Sequence, residues 1–254
     1  MKTLAVINIK GGVGKTISAV NIGAVLGELG HHVLIVDLDP QANATQLFKS
    51  YNMERPSICN VFLEKNFNTS DAVFSTEYPN IDIIPSHIGF AFAENKIIVD
   101  TARQQQTRLR KALSQVNDIY DYCILDCPPN VGIIAINALT AADGAVVPIK
   151  IDRFALDGLD YLISTIYEIK SEFNEKLNFL GSFVTMDNCT SVNKEIKHHL
   201  HENAMLKMYS TSIKTNVKVP ESTFSQLPVV YYDAKSTAGK AYRELTNEIL
   251  SRGI

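Results

Sequence analysis

The stretch Lys10-Gly-Gly-Val-Gly-Lys-Thr16 decides the fold of this chain. The apolar run at residues 4–7 precedes it, and an alanine-rich segment with helical periodicity, residues 18–29, follows it. A strand, a glycine-rich turn and a helix in that order form a phosphate cradle, because backbone N–H groups converge at the positive end of the helix. An ordinary glycine-rich turn would not reproduce all seven positions in this context. The stretch therefore predicts a nucleotide site in an α/β fold.

Two residues of the stretch carry side-chain chemistry. In this pattern the second lysine, Lys15, pairs with the β- and γ-phosphates, and the hydroxyl of Thr16 ligates Mg²⁺. Lys10 has no place in that scheme, because it stands before the first glycine. It is either a solvated surface lysine or a residue with a separate function.

Carboxylates follow two other apolar strands. Asp37 and Asp39 come directly after residues 33–36, and Asp126 follows residues 122–125. Parallel α/β sheets bind ligands at the carboxyl ends of their strands, so these side chains are expected beside the glycine-rich turn. The hydrophobic strand that ends in Asp126 has the Walker B pattern. Mg²⁺ takes one or two carboxylates and keeps several waters, which suits Asp126 as its partner.

Composition bounds the function without naming it. The chain has 254 residues, 46% of them hydrophobic, and a net charge of −3, which excludes a strongly basic protein. Residues 1–189 carry 15 Lys/Arg and 21 Asp/Glu, whereas residues 190–254 carry 9 and 6. The positive C-terminal region is suited to a polyanion. No signal segment or membrane span is expected, and buried free thiols are predicted for the four cysteines, Cys59, Cys123, Cys127 and Cys189.

Strand and helix patterns alternate along the rest of the chain. Further strands are predicted at residues 81–84, 144–149, 177–184 and 205–213, and helices at 46–51, 57–63, 88–117, 134–141, 193–201 and 238–250, with a long amphipathic helix that ends near residue 173. This pattern predicts a doubly wound, mainly parallel α/β sheet of about seven or eight strands flanked by helices. We expect residues 1–254 to form a single domain.

Three other groups have alternative interpretations. His87 follows a strand, where it is either structural or close to the site. The cluster Arg103, Arg108, Arg110 and Lys111 indicates either a phosphate-binding face or, more commonly, a solvated helix flank. His198, His199 and His201 invite a metal interpretation, but no carboxylate or thiol has suitable spacing, which favours a surface cluster.

Taken with the early lysine, these motifs resemble the ParA/MinD family, whose P-loop is a deviant Walker A box. In that family the lysine corresponding to Lys10 reaches the phosphates of a partner subunit across a nucleotide-sandwich dimer. The segments Val36-Asp-Leu-Asp-Pro-Gln41 and Asp126-Cys-Pro-Pro129 resemble family motifs as well. Two positions depart from the usual pattern, because Ile9 stands where Gln is frequent and Ile17 where a second Thr contacts the α-phosphate.

The resemblance implies roles for individual residues. Asp39 would orient the attacking water, while Asp37 and Asp126 would support the Mg²⁺ shell with Thr16. Asp152 would face the partner's nucleotide or its early lysine, although a helix N-cap role for Asp152 or Asp157 is an alternative. The catalytic residues implied are Lys10, Lys15 and Asp39. The nucleotide-binding residues implied are Lys10, Gly11, Gly12, Val13, Gly14, Lys15, Thr16, Ile17, Met186 and Asn216.

The implied activity is slow, Mg²⁺-dependent ATP hydrolysis coupled to dimerisation. A ParA/Soj-like partition ATPase would bind double-stranded DNA non-specifically as an ATP dimer, and a ParB-like centromere-binding protein would stimulate hydrolysis and release. Such a protein would be cytoplasmic, bacterial and nucleoid-associated. The basic residues proposed for DNA are Lys194, Lys197, Lys207, Lys214, Lys218, Lys235, Lys240 and Arg243.

Two other functions are open. A MinD-like membrane-cycling ATPase would need a basic amphipathic C-terminal helix, but residues 245–254 lack Phe and Trp and have balanced charges, so no stable membrane association is expected. A metabolic relative, such as a ligase or an electron carrier, is the third interpretation, although the cysteine positions do not match an iron–sulfur pattern.

Overall fold

A seven-stranded sheet forms the centre of the computed structural model, which describes residues 1–152, 158–188 and 190–254. The strands are β1 (Lys2–Val6), β2 (Val33–Asp37), β3 (Phe74–Ser75), β4 (Ile81–Ile84), β5 (Tyr122–Asp126), β6 (Gly144–Lys150) and β7 (Asn178–Thr185). Their order is β3-β4-β2-β5-β1-β6-β7, and every pair is parallel except β3 with β4. The predicted doubly wound, mainly parallel sheet is confirmed.

Helices cover both faces of the sheet. They are α1 (Lys15–Glu28), α2 (Asn43–Leu47), α3 (Ile58–Leu63), α4 (Ala93–Val99), α5 (Arg108–Leu113), α6 (Ile133–Ala141), α7 (Leu159–Glu172), α8 (Ser191–Glu202), α9 (Lys218–Phe224), α10 (Val229–Tyr232) and α11 (Thr237–Ser251). One hydrophobic cluster joins the sheet to α3 through α7, and a second joins it to α1, α10 and α11. Burial on both faces explains why the central strands are almost uniformly apolar.

The register of the central strands positions the acidic residues. Asp37, the last residue of β2, pairs with Asp126, the last residue of β5, and Val6 at the end of β1 also pairs with Asp126. The chain enters the glycine-rich turn directly after β1. Two carboxylates and the phosphate cradle therefore meet at one edge of the sheet, as the strand-end argument predicts.

The strand predicted at residues 205–213 is wrong. Residues Ala204–Leu206 form a 3₁₀ turn, and Lys207 has a left-handed backbone with φ of 45°. The segment then follows β7 loosely, with backbone hydrogen bonds from Tyr209 and Ile213 to that strand. The amides and hydroxyls of Ser210 and Thr211 donate instead to the carboxylate of Glu248 in α11. Because these donors are taken by a side chain, no regular ladder forms, although the segment still covers the edge of the sheet.

The single helix predicted at residues 88–117 is also wrong. The segment contains a 3₁₀ helix at Ile88–Phe92, then α4, a connecting loop and α5. Asp100 ends α4, because its carboxylate accepts hydrogen bonds from the amide of Ala102 and from the guanidinium groups of Arg103 and Arg108. The two-residue edge strand β3 was not predicted, since it is too short to show a periodic pattern. The remaining predicted elements are present, most of them with shifted ends, although α2 shares only residues 46–47 with the helix predicted at 46–51.

The cysteine prediction is confirmed in part. Cys123 and Cys127 are buried and free, and Cys59 is free but half-buried. Cys189 lies outside the described residues. Within the described ranges, no helix combines the length and apolarity needed to cross a bilayer.

Candidate nucleotide-binding site

The glycine-rich loop has the backbone that its sequence demands. Gly12 and Gly14 have φ of 71° and 83°, a left-handed conformation that side-chain-bearing residues rarely adopt. Gly14 is the N-cap of α1, and its carbonyl accepts the first helical hydrogen bond from Ser18. The N-terminal amides of α1 are thereby presented at the loop, as a phosphate site requires.

Two side chains outside the motif hold this loop in place. Asn8 accepts a hydrogen bond from the amide of Lys10 at 3.0 Å and donates one to the carbonyl of Pro148 at 2.7 Å. The buried hydroxyl of Thr185, the last residue of β7, lies 2.9 Å from the carbonyl of Val13. Both residues were missed from the sequence, because the contact of Asn8 with Pro148 and that of Thr185 with Val13 join positions more than 130 residues apart.

Lys15 is buried inside the loop, with 6% of its surface exposed. Its ammonium donates to the carbonyl of Lys10 at 2.8 Å, which closes the loop on itself. Burial lowers the pKa of Lys15, and the nearby carboxylates of Asp126 and Asp39 act in the opposite direction. An anion brought into the loop would therefore meet a poorly hydrated ammonium group.

Asp37 is fully buried, and its carboxylate oxygens already have partners. One oxygen accepts from the amide of Asp39, and the other accepts from the amide and the hydroxyl of Thr45. Burial raises the pKa of Asp37 to about 6, against the effect of these hydrogen bonds. The structure thus gives Asp37 a positioning contact to Asp39. Thr45, which the sequence interpretation did not single out, also accepts from the amide of Ser86 and so ties β4 to this cluster.

Asp39 lies at the edge of the cluster and is half-buried. Its carboxylate accepts a hydrogen bond from the amide of Gln41 at 2.9 Å. This single contact from the local turn leaves capacity for further hydrogen bonds to the two oxygens.

Asp126 is the group most in need of a counter-charge. It is fully buried, and neither carboxylate oxygen has a hydrogen bond of standard geometry to the described residues. Burial raises its pKa well above the usual range, the neighbouring carboxylate of Asp37 adds to the rise, and the hydroxyl of Thr16 is close enough to oppose it. An unpaired buried carboxylate beside a threonine hydroxyl fits a Mg²⁺ shell, which needs few protein oxygens. The described residues contain no group of three or more His, Cys, Asp or Glu that could hold a metal by themselves.

Lys10 turns toward its own chain. Its ammonium nitrogen is buried, has no hydrogen bond to the described residues and lies 3.9 Å from Oδ1 of Asp152. Beside it, the side chain of Ile9 packs over Gly158. Gly158 is the N-cap of α7 and has a left-handed backbone with φ of 79°. The early residues of the loop are therefore linked to the segment after β6. Asp157, the alternative N-cap, lies outside the described residues.

Of the residues predicted near the base, Met186 follows β7 and lies beside the glycine-rich loop. Met186 has a left-handed backbone with φ of 50°, is 38% exposed, and its Cε would be 3.9 Å from a Cβ atom added to Gly14. Asn216 is half-buried, donates to the hydroxyl of Thr237 at 2.6 Å and accepts from the amide of Lys218 at 2.7 Å. Ile17 is half-buried against the second hydrophobic cluster. The base-contacting roles stay predictions.

The histidines and arginines that were open to alternative interpretations have structural partners. His87 accepts from the amide of Gly89 and so caps the following 3₁₀ helix, and burial lowers its pKa. His198 and His199 are exposed and both approach Glu202, so the prediction that no carboxylate has suitable spacing is wrong, although the described residues contain no group of three or more possible metal ligands. Arg103 and Arg108 do not form a solvated flank, because their guanidinium groups donate to carbonyls at the C-terminus of α3.

The proposed DNA-contacting residues divide into two sets. Four have partners within the chain, namely Lys197 with Asp187, Lys207 with the Phe179 carbonyl, Lys218 with Glu221, and Arg243 with Glu28. Four are exposed and form no ion pair with any described residue: Lys194, Lys214, Lys235 and Lys240. The second set is free to contact a polyanion without breaking an existing contact.

Comparisons with known proteins agree with this geometry. The family model described as AAA domain matches residues 1–179. The sporulation initiation inhibitor protein Soj of Bacillus subtilis (strain 168) is 35% identical over 253 residues, which cover 99% of each chain. The chromosome partitioning protein ParA of Caulobacter vibrioides (strain NA1000 / CB15N) is 36% identical over 256 residues, covering 99% of this chain and 95% of that protein.

A solved structure matches over a similar extent. It is cobyrinic acid a,c-diamide synthase from Mycobacterium smegmatis with bound ADP and magnesium, with a TM-score of 0.85 and 29% identity. The match covers 98% of this chain and 94% of that one. The similarity thus includes the residues after 179, where the predicted base contacts and the C-terminal basic residues lie.

Proposed function

This chain belongs to the ParA/Soj family of partition ATPases, and we propose that it binds and slowly hydrolyses ATP with Mg²⁺, as a dimer that attaches to DNA. The observation that carries the proposal is the convergence of Lys15, Asp39 and Asp126 beside the glycine-rich loop, where each affects the pKa of another. Residues 1–254 are taken as a single domain, because one sheet collects all of these groups.

Phosphoryl transfer to water requires positioning, charge neutralisation and an oriented nucleophile. The amides of Gly11 through Gly14 hold the phosphate oxygens, and Lys15 exchanges its contact with the Lys10 carbonyl for the β- and γ-phosphates. Asp39 accepts a hydrogen bond from the attacking water. Asp37 holds the backbone of Asp39 through the amide contact at 3.1 Å, so its role is mainly to position the water-orienting residue.

Thr16 and Asp126 are the residues that would hold Mg²⁺, with Asp37 behind them. The bound ion supplies positive charge to the phosphate oxygens. The oxygens of Asp126 support this assignment, because they have no hydrogen bond of standard geometry to the described residues and a buried carboxylate is costly unless a cation compensates it. Met186 and Asn216 are proposed to contact the base.

Lys10 is proposed to act in the partner subunit of the dimer. It is placed at the mouth of the loop and is not needed to hold the phosphates of its own chain. To reach a second subunit, its ammonium must leave the 3.9 Å contact with Asp152. Hydrolysis would then require dimerisation, because the added positive charge arrives only from the partner. Slow ATP hydrolysis that depends on dimer assembly is suited to setting the lifetime of the dimer.

The ATP dimer is proposed to bind double-stranded DNA through its C-terminal basic residues. The exposed lysines that form no ion pair with any described residue, Lys194, Lys214, Lys235 and Lys240, are the first candidates. Contacts of this kind go to phosphates, so binding is insensitive to sequence and falls steeply as salt increases. A ParB-like protein bound at a centromere would stimulate hydrolysis and release the dimer, and the protein would be cytoplasmic and nucleoid-associated.

An electrophoretic mobility shift on plain duplex DNA tests the proposal. The shift should require ATP and Mg²⁺, and should disappear in high salt. The double variant Lys235→Ala/Lys240→Ala should reduce the slope of log K against log salt by about 1 for each lost phosphate contact in each chain. The matched control Lys2→Ala/Lys176→Ala, at exposed lysines outside this region, should leave the slope unchanged.

Absence of a shift, or a shift that needs no nucleotide, would contradict the partition function. ATP-dependent binding to anionic liposomes without DNA binding would favour the alternative, a MinD-like membrane-cycling ATPase. The contacts of α11 argue against that alternative, since its apolar residues Leu245 and Ile249 are buried against the second hydrophobic cluster and are not available to lipid.

A further inference from the structure

A cavity of about 630 Å³ lies between the C-terminus of α3, the loop that follows it and α5. Its floor is apolar, formed by Val61, Phe62, Phe67 and Ala112. Its volume is in the range of small-molecule sites, which are commonly 300–1,000 Å³. None of the residues assigned to the nucleotide contributes to its lining.

The walls of this cavity are fixed by hydrogen bonds. Arg103 donates to the carbonyls of Leu63 and Glu64, which joins the loop before α5 to the end of α3. On the other side, Gln115 accepts from the amide of Thr69 and donates to the carbonyl of Phe67. Because both walls are hydrogen-bonded to α5 and α3, the cavity is largely preformed. A ligand would therefore lose little binding free energy in ordering it.

The rim of the cavity is cationic. Lys65 and Lys111 are exposed, line the cavity and form no ion pair with any described residue. The two arginines of the lining, Arg103 and Arg108, share one carboxylate, that of Asp100. Glu64 is the only acidic residue among the lining residues that the structure describes, and it accepts a hydrogen bond from Asn60. The cavity therefore carries a positive charge in a chain whose net charge is −3.

We propose that this cavity is a second ligand site, separate from the nucleotide site, for a small organic anion with an apolar body. The apolar body would lie on the floor between Phe67 and Ala112, where burial of its surface provides most of the affinity. Its anionic group would lie at the rim beside Lys65 and Lys111, whose charges are not compensated within the described chain. A neutral ligand of the same shape gains only the free energy of burying its apolar body.

Fluorescence titration with 8-anilinonaphthalene-1-sulfonate tests the proposal on the full chain, in the presence of saturating ATP and Mg²⁺. The dye is an apolar body with one anionic group, so one molecule should bind per chain. The uncharged analogue N-phenyl-1-naphthylamine should bind about tenfold more weakly, the effect of one or two partly exposed charge contacts. Equal affinity of the two dyes, or an anionic dye that binds only when ATP is left out, would refute the site.

Two variants locate the binding in this cavity. The double variant Lys65→Glu/Lys111→Glu reverses the rim charge and should weaken the anionic dye by more than about tenfold, with little effect on the neutral dye. Ala102→Trp fills the cavity from an exposed position and should weaken both dyes. The matched control Lys2→Glu/Lys176→Glu should change neither. Unchanged dye binding in the first two variants, with melting temperatures that show them folded, would place the dye elsewhere and overturn the proposal.

Discussion

The ammonium of Lys10 lies 3.9 Å from the carboxylate of Asp152 in the same chain. The nitrogen is buried and has no hydrogen bond to the described residues. Lys15, five residues later, instead donates to the carbonyl of Lys10. Two lysines of one loop thus have different environments, one inside the phosphate cradle and one at its mouth.

Lys10→Ala should abolish ATP hydrolysis and leave nucleotide binding by the monomer largely intact. Residues that supply positive charge in trans contribute on the order of 10³–10⁵ to phosphoryl transfer, so a loss of at least about 10³ is expected. Steady-state phosphate release and titration with a fluorescent ADP analogue measure the two properties. Lys2→Ala serves as the control for loss of one exposed lysine. Normal turnover in Lys10→Ala would disprove the trans-lysine mechanism.

Asp39→Ala should form a persistent ATP dimer. The residue is half-buried and accepts a hydrogen bond from the Gln41 amide, so its loss should be tolerated by the fold. Without an oriented water, hydrolysis should fall by about 10²–10⁴, the usual contribution of a positioned base. Light scattering after size-exclusion chromatography should report a dimer with ATP and a monomer with ADP. A monomer under saturating ATP would count against the assigned role.

Asp126→Asn should stabilise the nucleotide-free protein while removing stabilisation by ATP with Mg²⁺. The pKa of Asp126 is raised, so its charged form costs free energy only when the chain is folded. The gain from the neutral amide is therefore small below the ordinary Asp pKa of about 3.9 and grows as pH rises toward the raised pKa. Each kcal/mol should raise the melting temperature by about 2–4 °C.

Thermal melts at acidic and alkaline pH, with and without ATP and Mg²⁺, measure both effects of Asp126→Asn. Asp118→Asn changes the same charge at an exposed position and should shift neither melt. A variant that is less stable than the native chain at alkaline pH would show that the buried carboxylate has a compensating partner.

Thr185→Val should loosen the glycine-rich loop. The hydroxyl lies 2.9 Å from the carbonyl of Val13 and 3.3 Å from that of Ile149, and both contacts disappear in the isosteric variant. A loss of about 1–2 kcal/mol in the free energy of unfolding is expected, with weaker ADP binding. Thr140→Val is the matched control, because the buried hydroxyl of Thr140 has no partner among the described residues. Denaturant unfolding and ADP titration measure these two effects. Equal losses of stability and of ADP affinity in Thr185→Val and Thr140→Val would show that the contacts of Thr185 do not hold the loop.

Local patterns were reliable where one physical requirement dominates. Gly12 and Gly14 adopt the left-handed backbone that only glycine tolerates well, and the apolar runs before Asp37 and Asp126 became buried parallel strands. Patterns failed where a distant side chain competes for backbone groups. Glu248 takes the amides of Ser210 and Thr211, which prevents the strand predicted at residues 205–213. Asp100 and its two arginine partners end a helix that periodicity alone would continue.

The sequence by itself determined the parallel α/β sheet and the identities of the loop and strand-end residues, because backbone conformation and burial follow from residue type over short stretches. Only the tertiary structure decided which polar groups have partners. It left the oxygens of Asp126 without a standard hydrogen bond to the part of the chain that the structure describes, satisfied those of Asp37 with Thr45 and Asp39, and tied Thr185 to Val13. The physical reason is that hydrogen bonding and desolvation depend on neighbours brought together from distant parts of the chain, which no local pattern encodes.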